Sequence, residues 1–280
     1  MPLVTTRELV DRAVARHVAV GSFNIITLEH AEGVIEGAEQ VETPVILQIS
    51  ENAVRFHGGR LAPIAAAATA MAEGAGVAVA LHLDHVEDDA LLRQAAGVGI
   101  SSVMYDASKR AYAQNVEATR AAREWAHANG VYIEAELGEV GGKDGAHAPG
   151  VRTDPAEAAE FVAATGVDAL AVAVGSSHAM TDRSAALDHA LIAELARAVP
   201  VPLVLHGSSG VPDHELAAAV RAGMTKINIG TILNVGFTAA VREALAADER
   251  LVDPRMYLRP ARTRMADTVA ALLTVLSPRS

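Results

Sequence analysis

One unit repeats along this chain: a short apolar run followed by a segment of helical character, eight times in succession. The runs lie at 18–26, 44–50, 77–85, 101–106, 131–137, 170–175, 202–206 and 226–231. Helical segments follow each of them, among them 27–41, 61–73, 87–96 and 112–128, and one more, 6–15, precedes the first. Apolar strands alternating with helices predict a parallel sheet covered by those helices. Eight such units fit closure into a (β/α)8, or TIM, barrel. A further helix ending near residue 276, after a tail carrying Pro254 and Pro260, is expected outside the eightfold pattern. No linker or composition shift divides residues 1–280, so a single domain is expected. A doubly wound open sheet is the competing architecture, but no Gly-x-Gly-x-x-Gly turn follows the first strand.

Composition narrows the chemistry. The formal net charge is −11, which argues against nucleic acid or an anionic membrane surface as a partner. There is no cysteine, so there is no disulfide framework and no thiolate chemistry, and any metal must be held by His, Asp or Glu. No apolar stretch is long enough to span a membrane. The first residues lack the basic and apolar regions of a signal peptide, so a cytoplasmic enzyme is expected.

Three of the apolar runs end in histidine: His85 after Leu81-His82-Leu83-Asp84, His178 after Gly175-Ser176-Ser177, and His206 after Leu203-Val204-Leu205. For one strand the simpler reading is a capping hydrogen bond. For three corresponding strand ends it is one metal, because barrel active sites sit where the C-terminal strand ends converge. Three histidines with an open position are a catalytic zinc arrangement. His82 lies inside its strand and reads as a satisfied core residue or as a group just behind a metal ligand. The histidines at 17, 30, 57, 127, 189 and 214 fall on helices or turns and read as solvated.

Asp84 is placed for general acid–base work beside the metal. Neighbours on a strand point to opposite faces, so Asp84 and His85 can share a site only if the strand ends or twists there. Asp106, Glu134 and Glu136 supply three more carboxylates at neighbouring strand ends. Asp106 and Glu134 read as partners of histidine rings or of Lys226, and Glu136 as a metal ligand or a group just behind one. Gly207-Ser208-Ser209-Gly210 and Asn228-Ile229-Gly230-Thr231 follow the seventh and eighth strands and precede helices, which is where barrels of this kind bind phosphate. The glycine-rich stretch 138–153 is too long for a plain connection and reads as functional.

Taken together, these stretches resemble the class II, metal-dependent ketose-bisphosphate aldolases, the family of fructose-bisphosphate and tagatose-bisphosphate aldolases. The matching segments include Phe23-Asn24-Ile25, His82-Leu83-Asp84-His85, Glu134-Ala135-Glu136-Leu137-Gly138, Leu205-His206-Gly207-Ser208-Ser209-Gly210, Lys226-Ile227-Asn228 and Asp253-Pro254-Arg255. They occur in family order from about residue 3 to about 275. The resemblance implies zinc on His85, His178 and His206, with Asp84 shuttling a proton at the C4 hydroxyl. It implies phosphate binding by Gly207, Ser209, Asn228 and Thr231, with Asn24 and Ser50 lining the same site. It implies a monovalent cation, Na+ or K+, in the loops carrying Gly175 and Ser177, and a homodimer or homotetramer. An Arg of the C-terminal region, with Arg255, Arg259 and Arg262 as candidates, would reach the distal phosphate.

The sequence departs from the family at four places. Ala179 follows the ligand histidine where the family usually has Gly. The loop reads Gly141-Gly142-Lys143-Asp144, so Asp144, His147 or Glu139 would take the carbon-bound proton in place of the family's Glu. Lys109 stands in Asp106-Ala107-Ser108-Lys109 where the family has His, and Gly230 occupies a position where some members carry Asp. The expected reaction is reversible aldol cleavage of a ketose phosphate to dihydroxyacetone phosphate and an aldehyde. Fructose 1,6-bisphosphate is the first candidate substrate and tagatose 1,6-bisphosphate the second. A zinc-barrel hydrolase and a non-catalytic subunit are the competing classes.

Overall fold

A computed structural model of the chain describes residues 2–137, 152–177 and 180–278. In chain order the elements are α1 (Thr6–Arg16), β1 (Val20–Asn24), α2 (Leu28–Gln40), β2 (Val45–Ser50), α3 (Glu51–Phe56), α4 (Leu61–Gly74), β3 (Val79–Val86), α5 (Asp89–Leu92), β4 (Ser102–Tyr105), α6 (Tyr112–Ala128) and β5 (Tyr132–Glu136). There follow α7 (Pro155–Thr165), β6 (Ala169–Ala171), α8 (His189–Ala198), β7 (Leu203–Leu205), α9 (Asp213–Ala222), β8 (Met224–Ile229), α10 (Thr231–Ala247) and α11 (Pro254–Leu276). Each strand pairs in parallel with the next, and β8 pairs with β1, closing the barrel. The expected (β/α)8 fold with an extra C-terminal helix is the observed one.

The period-2 geometry of the strands sorts the core into two shells. Outward residues such as Phe23, Leu47, Leu81, Leu83, Val103, Ile133, Leu205 and Ile227 join one apolar cluster with the helices. Inward residues near the strand starts, Val20, Ile46 and Ala80, meet Leu9, Val10 and Ala13 of α1, which plugs the barrel floor. Thr5 caps α1 by accepting the Glu8 N–H, and the chain enters beside β3 through a Leu3–Val79 bridge. On the outside, α11 packs along α2 and α10. Gly37 permits the α2 approach: a Cβ there would lie 2.4 Å from the Ala266 carbonyl oxygen.

Three local expectations are corrected and one unread element appears. The helix expected over 87–96 shrinks to α5 and a 3-10 turn at Ala95–Gly97, because Gly99 takes a left-handed turn (φ +80°) that sends the chain into β4. A short helix, α3, stands where no helical period is legible. Six residues are too few to show one, and Ser50 starts the helix by accepting the Ala53 N–H. The sixth apolar run leaves the ladder after Ala171, because the Thr153 hydroxyl accepts the Ala173 N–H at 2.8 Å. The final helix begins at Pro254, capped by Asp253, and runs through Pro260.

Candidate active site

The strand geometry resolves how Asp84 and His85 reach one site. Alternation turns His82 and Asp84 into the barrel and Leu81 and Leu83 out of it. Simple continuation would turn His85 outward as well. A bulge between Leu83 and Val86 intervenes, and His85 sits in the left-handed region at φ +49°. That conformation costs a non-glycine residue on the order of 1 kcal/mol or more and is characteristic of functional sites. It brings the His85 ring to 4.8 Å from the His206 ring, edge to face.

Both rings are oriented by carboxylates. His85 Nδ1 lies 3.0 Å from Asp106 Oδ2, and Asp106 is itself held by the Ser108 hydroxyl and N–H. His206 Nε2 donates to Glu134 Oε1 at 2.9 Å, while its Nδ1 lies 3.1 Å from Glu136 Oε2. Glu134 and Glu136 both face inward because they stand two apart on β5. Burial alone would lower both imidazole pKa values. Asp84, Asp106 and Glu136 outweigh burial at His85 and push it up to about 10. Hydrogen bonds to Glu134 and Glu136 raise His206. Burial would raise the Asp106 carboxyl, but the hydrogen bond with His85 holds it below its usual value.

Donor atoms of Asp84, His85 and His206 lie within 4.8 Å of one another, a candidate metal cluster among the described residues. The set is nitrogen and oxygen only, and each imidazole is backed by a carboxylate through its other nitrogen, the arrangement metal-ligating histidines adopt. These residues fit a divalent metal such as zinc. His178, Asp144, Glu139 and His147 lie outside the described residues.

The cluster opens into a cavity of about 310 Å³ at the C-terminal mouth. Its walls include Asn24, Ser50, Asp84, His85, Gly207, Ser209, Asn228 and Thr231, so these sequence-predicted residues share one site. Gly230 precedes α10, whose N-terminus opens on the cavity, and its N–H donates to Ser209 Oγ at 3.3 Å. A Cβ at Gly230 would fall 2.7 Å from Asn24 Oδ1, so glycine there leaves room for that amide. Gly175 (φ +120°) and Ser177 lie at one side: a Cβ on Gly207 would fall 2.6 Å from the Ser177 carbonyl, and Ser176 Oγ donates to the His206 carbonyl. None of the three candidate arginines lines the cavity. Arg262 is held by Glu32 at 2.7 Å, and Arg255 is bound to Asp253.

Gln48 carries no motif, yet it organises the mouth. Its amide donates to Asn24 Oδ1 at 3.1 Å and to Asp84 Oδ2 at 3.0 Å, and its oxygen accepts from Ser22 at 2.6 Å. An amide in the middle of the apolar run 45–49 is the sequence signal for it. Asn52 and Asn234 also line the cavity without a motif. His30 corrects another expectation. It is buried rather than solvated, stacked on Phe237 with hydrogen bonds to Thr27 and Asn234, because α2 turns it inward against α10.

A closed parallel barrel with oriented imidazoles, carboxylates and two glycine-serine loops at its C-terminal mouth defines a barrel enzyme with a candidate metal centre. Residues 4–279 match the family described as fructose-bisphosphate aldolase class-II. The chain is 40% identical over 272 residues to a probable fructose-bisphosphate aldolase of Bacillus subtilis, covering 96% of this chain and 95% of that one. It is 39% identical, with the same coverage, to the fructose-bisphosphate aldolase of Geobacillus stearothermophilus. The crystal structure of the YdjI aldolase of Escherichia coli superposes with a TM-score of 0.86 at 32% identity, over 98% of this chain and 97% of that one. The chain belongs to the class II fructose-bisphosphate aldolase family, and it is an aldolase, a lyase of carbon–carbon bonds.

Proposed function

We propose that this aldolase cleaves a ketose 1,6-bisphosphate reversibly into dihydroxyacetone phosphate and an aldehyde. Fructose 1,6-bisphosphate, giving glyceraldehyde 3-phosphate, is the first substrate, and tagatose 1,6-bisphosphate or another ketose phosphate the second. The observation that carries this reading is the bulge at His85, which sets that imidazole beside Asp84 at the rim of a cavity bordered by the loops after β7 and β8, with the buried His206 ring packed behind it. In this reading His85, His206 and His178 hold one zinc. With His85 Nδ1 given to Asp106 and His206 Nε2 to Glu134, the ligand atoms would be His85 Nε2 and His206 Nδ1, with Glu136 beside them. When bound, zinc supplies Lewis-acid stabilisation for the negative charge that develops on the ketone oxygen.

The rest falls to side chains and backbone. Asp84, its carboxylate fixed by the Gln48 and Asn228 amides, takes the proton from the C4 hydroxyl as the carbon–carbon bond breaks. Asp144 returns a proton to the carbon of the dihydroxyacetone half. The N–H groups of Gly207 and Ser209, with Asn228, Thr231 and the N-terminus of α10, take that half's phosphate. Asn24 and Ser50 position the sugar. A monovalent cation near Gly175 and Ser177, one domain over residues 1–280, a cytoplasmic location, and a homodimer or homotetramer are parts of the same proposal.

A coupled retro-aldol assay with fructose 1,6-bisphosphate tests it, run with zinc and after chelation. Chelator-sensitive release of dihydroxyacetone phosphate, restored by zinc, is the expected result. No turnover of fructose or tagatose 1,6-bisphosphate by the zinc-loaded protein overturns the bisphosphate assignment. Turnover that survives complete removal of metal overturns the zinc assignment.

A further inference from the structure

Lys226 lies inside the barrel on β8, is 1% exposed, and takes no part in the chemistry above. Its Nζ is 2.8 Å from Glu134 Oε2, 2.8 Å from Asn228 Oδ1 and 3.4 Å from His82 Nε2. An ammonium has three protons and no lone pair, so this set engages every donor it has. We propose that Lys226 is the positioning residue of the site, one ammonium that fixes both the His206 ring on the metal side and the Asn228 amide on the substrate side. The proposal rests on the functional reading above.

Each arm has a consequence. Glu134, held through Oε2, presents Oε1 to His206; a carboxylate only accepts, so the proton of His206 stays on Nε2 and Nδ1 is turned to the metal. Asn228, one of the residues lining the cavity, has its Oδ1 engaged by Lys226 and must turn its NH2 the other way, where Nδ2 lies 3.4 Å from Asp84 Oδ1. His82 accepts at Nε2, so its own proton sits on Nδ1 and is donated to Ser102 Oγ at 2.7 Å, which in turn donates to Thr6 Oγ1 at 2.6 Å. The chain reaches Thr6, the first residue of α1, and passes through Ser101 Oγ to the Leu81 carbonyl, so the barrel floor holds the third arm in place. A lysine present only to neutralise Glu134 would need one of these contacts, and buried ion pairs are in any case a weak source of net stability.

Two variants, the second read against Glu134→Gln alone, separate positioning from charge balance. Lys226→Met removes the ammonium and leaves Glu134 buried without it. Lys226→Met/Glu134→Gln removes both charges, while the new amide oxygen can still accept from His206. Three quantities are read: the thermal midpoint of the metal-free protein, zinc affinity by chelator competition, and kcat and KM separately. The expected double variant folds, yet relative to Glu134→Gln alone it loses roughly 10- to 100-fold in zinc affinity and, through Asn228, a similar factor in kcat/KM with a raised KM. A folded double variant with the zinc affinity and kinetics of Glu134→Gln overturns the proposal.

A measurement on the unaltered protein decides the matter if neither variant folds. The chain has three lysines, Lys109, Lys143 and Lys226, so 15N-lysine labelling gives three side-chain signals. One slowly exchanging ammonium that shifts on zinc loading and again on adding dihydroxyacetone phosphate is expected. No protected ammonium, or one unmoved by either addition, sinks the idea. Zinc affinity does not depend on which ketose is the substrate, so its failure to change counts against Lys226, whereas an inactive wild-type enzyme counts against the functional reading.

Discussion

Along β3, Leu81 and Leu83 point outward and are fully buried among apolar neighbours, while His82 and Asp84, buried just as deeply, point inward onto hydrogen-bond partners. The same contrast holds on β2, where Leu47 and Ile49 face the helices and Gln48 faces Asp84, and on β8, where Ile227 and Ile229 flank Asn228. The outer shell is held by area and volume, which many combinations of Val, Leu, Ile and Ala satisfy. Above its apolar floor the inner shell is held by a hydrogen-bond network, and removing one member leaves its partner buried and unsatisfied. One set of strands thus carries a face that tolerates chemical change at constant volume and a face that does not.

Substitutions on each face should separate these two dependences. The largest effect is expected on the inner face: Asp84→Ala should lower the retro-aldol kcat by roughly 10²- to 10⁴-fold, the usual contribution of a general acid–base group. Zinc content of the purified variant should stay near the wild-type value; loss of zinc would make Asp84 a structural or ligating group instead. On the outer face, Leu47→Ala should cost about 2–5 kcal/mol of unfolding free energy in denaturant titration, as buried leucines do, while kcat per folded molecule is unchanged. A loss of kcat without loss of stability would erase the distinction between the faces.

The smallest effect concerns His30, a polar side chain set into the helix shell. Burial holds its pKa below the usual value of about 6.5. As pH falls, the unfolded chain takes the proton first, so the contribution of neutral His30 is full above about pH 6.5 and is lost as pH drops toward the lower folded value. The thermal midpoint of the wild type should therefore fall more steeply between pH 7 and 5 than that of His30→Asn. Parallel curves would mean the ring stays neutral or charged in both states alike.

Much of this was legible because it is local. A strand announces itself by a few consecutive residues and a helix by its caps and period, so the eight repeats and the barrel they close could be read in order. His85, His206, Asp84 and the glycine-serine loops were legible for a related reason: each stands just past an apolar run, and parallel strands bring all their C-terminal ends to one side. Gln48 and Lys226 were less visible as site residues. Each is one polar residue inside a strand, and its importance depends on what the barrel sets opposite it.

The sequence by itself therefore determined the succession of strands and helices, the edge of the barrel where chemistry collects, and the residue types available there, since these depend on neighbours a few positions apart. The tertiary structure alone decided three things. It turned His85 into the mouth through a left-handed bulge against alternation. It buried His30 between α2 and α10. It placed Lys226 within reach of residues 82, 134 and 228 at once. The reason is physical: closing a ring of eight strands juxtaposes side chains from distant parts of the chain, and hydrogen bonds between them depend on distance and direction, which local periodicity does not encode.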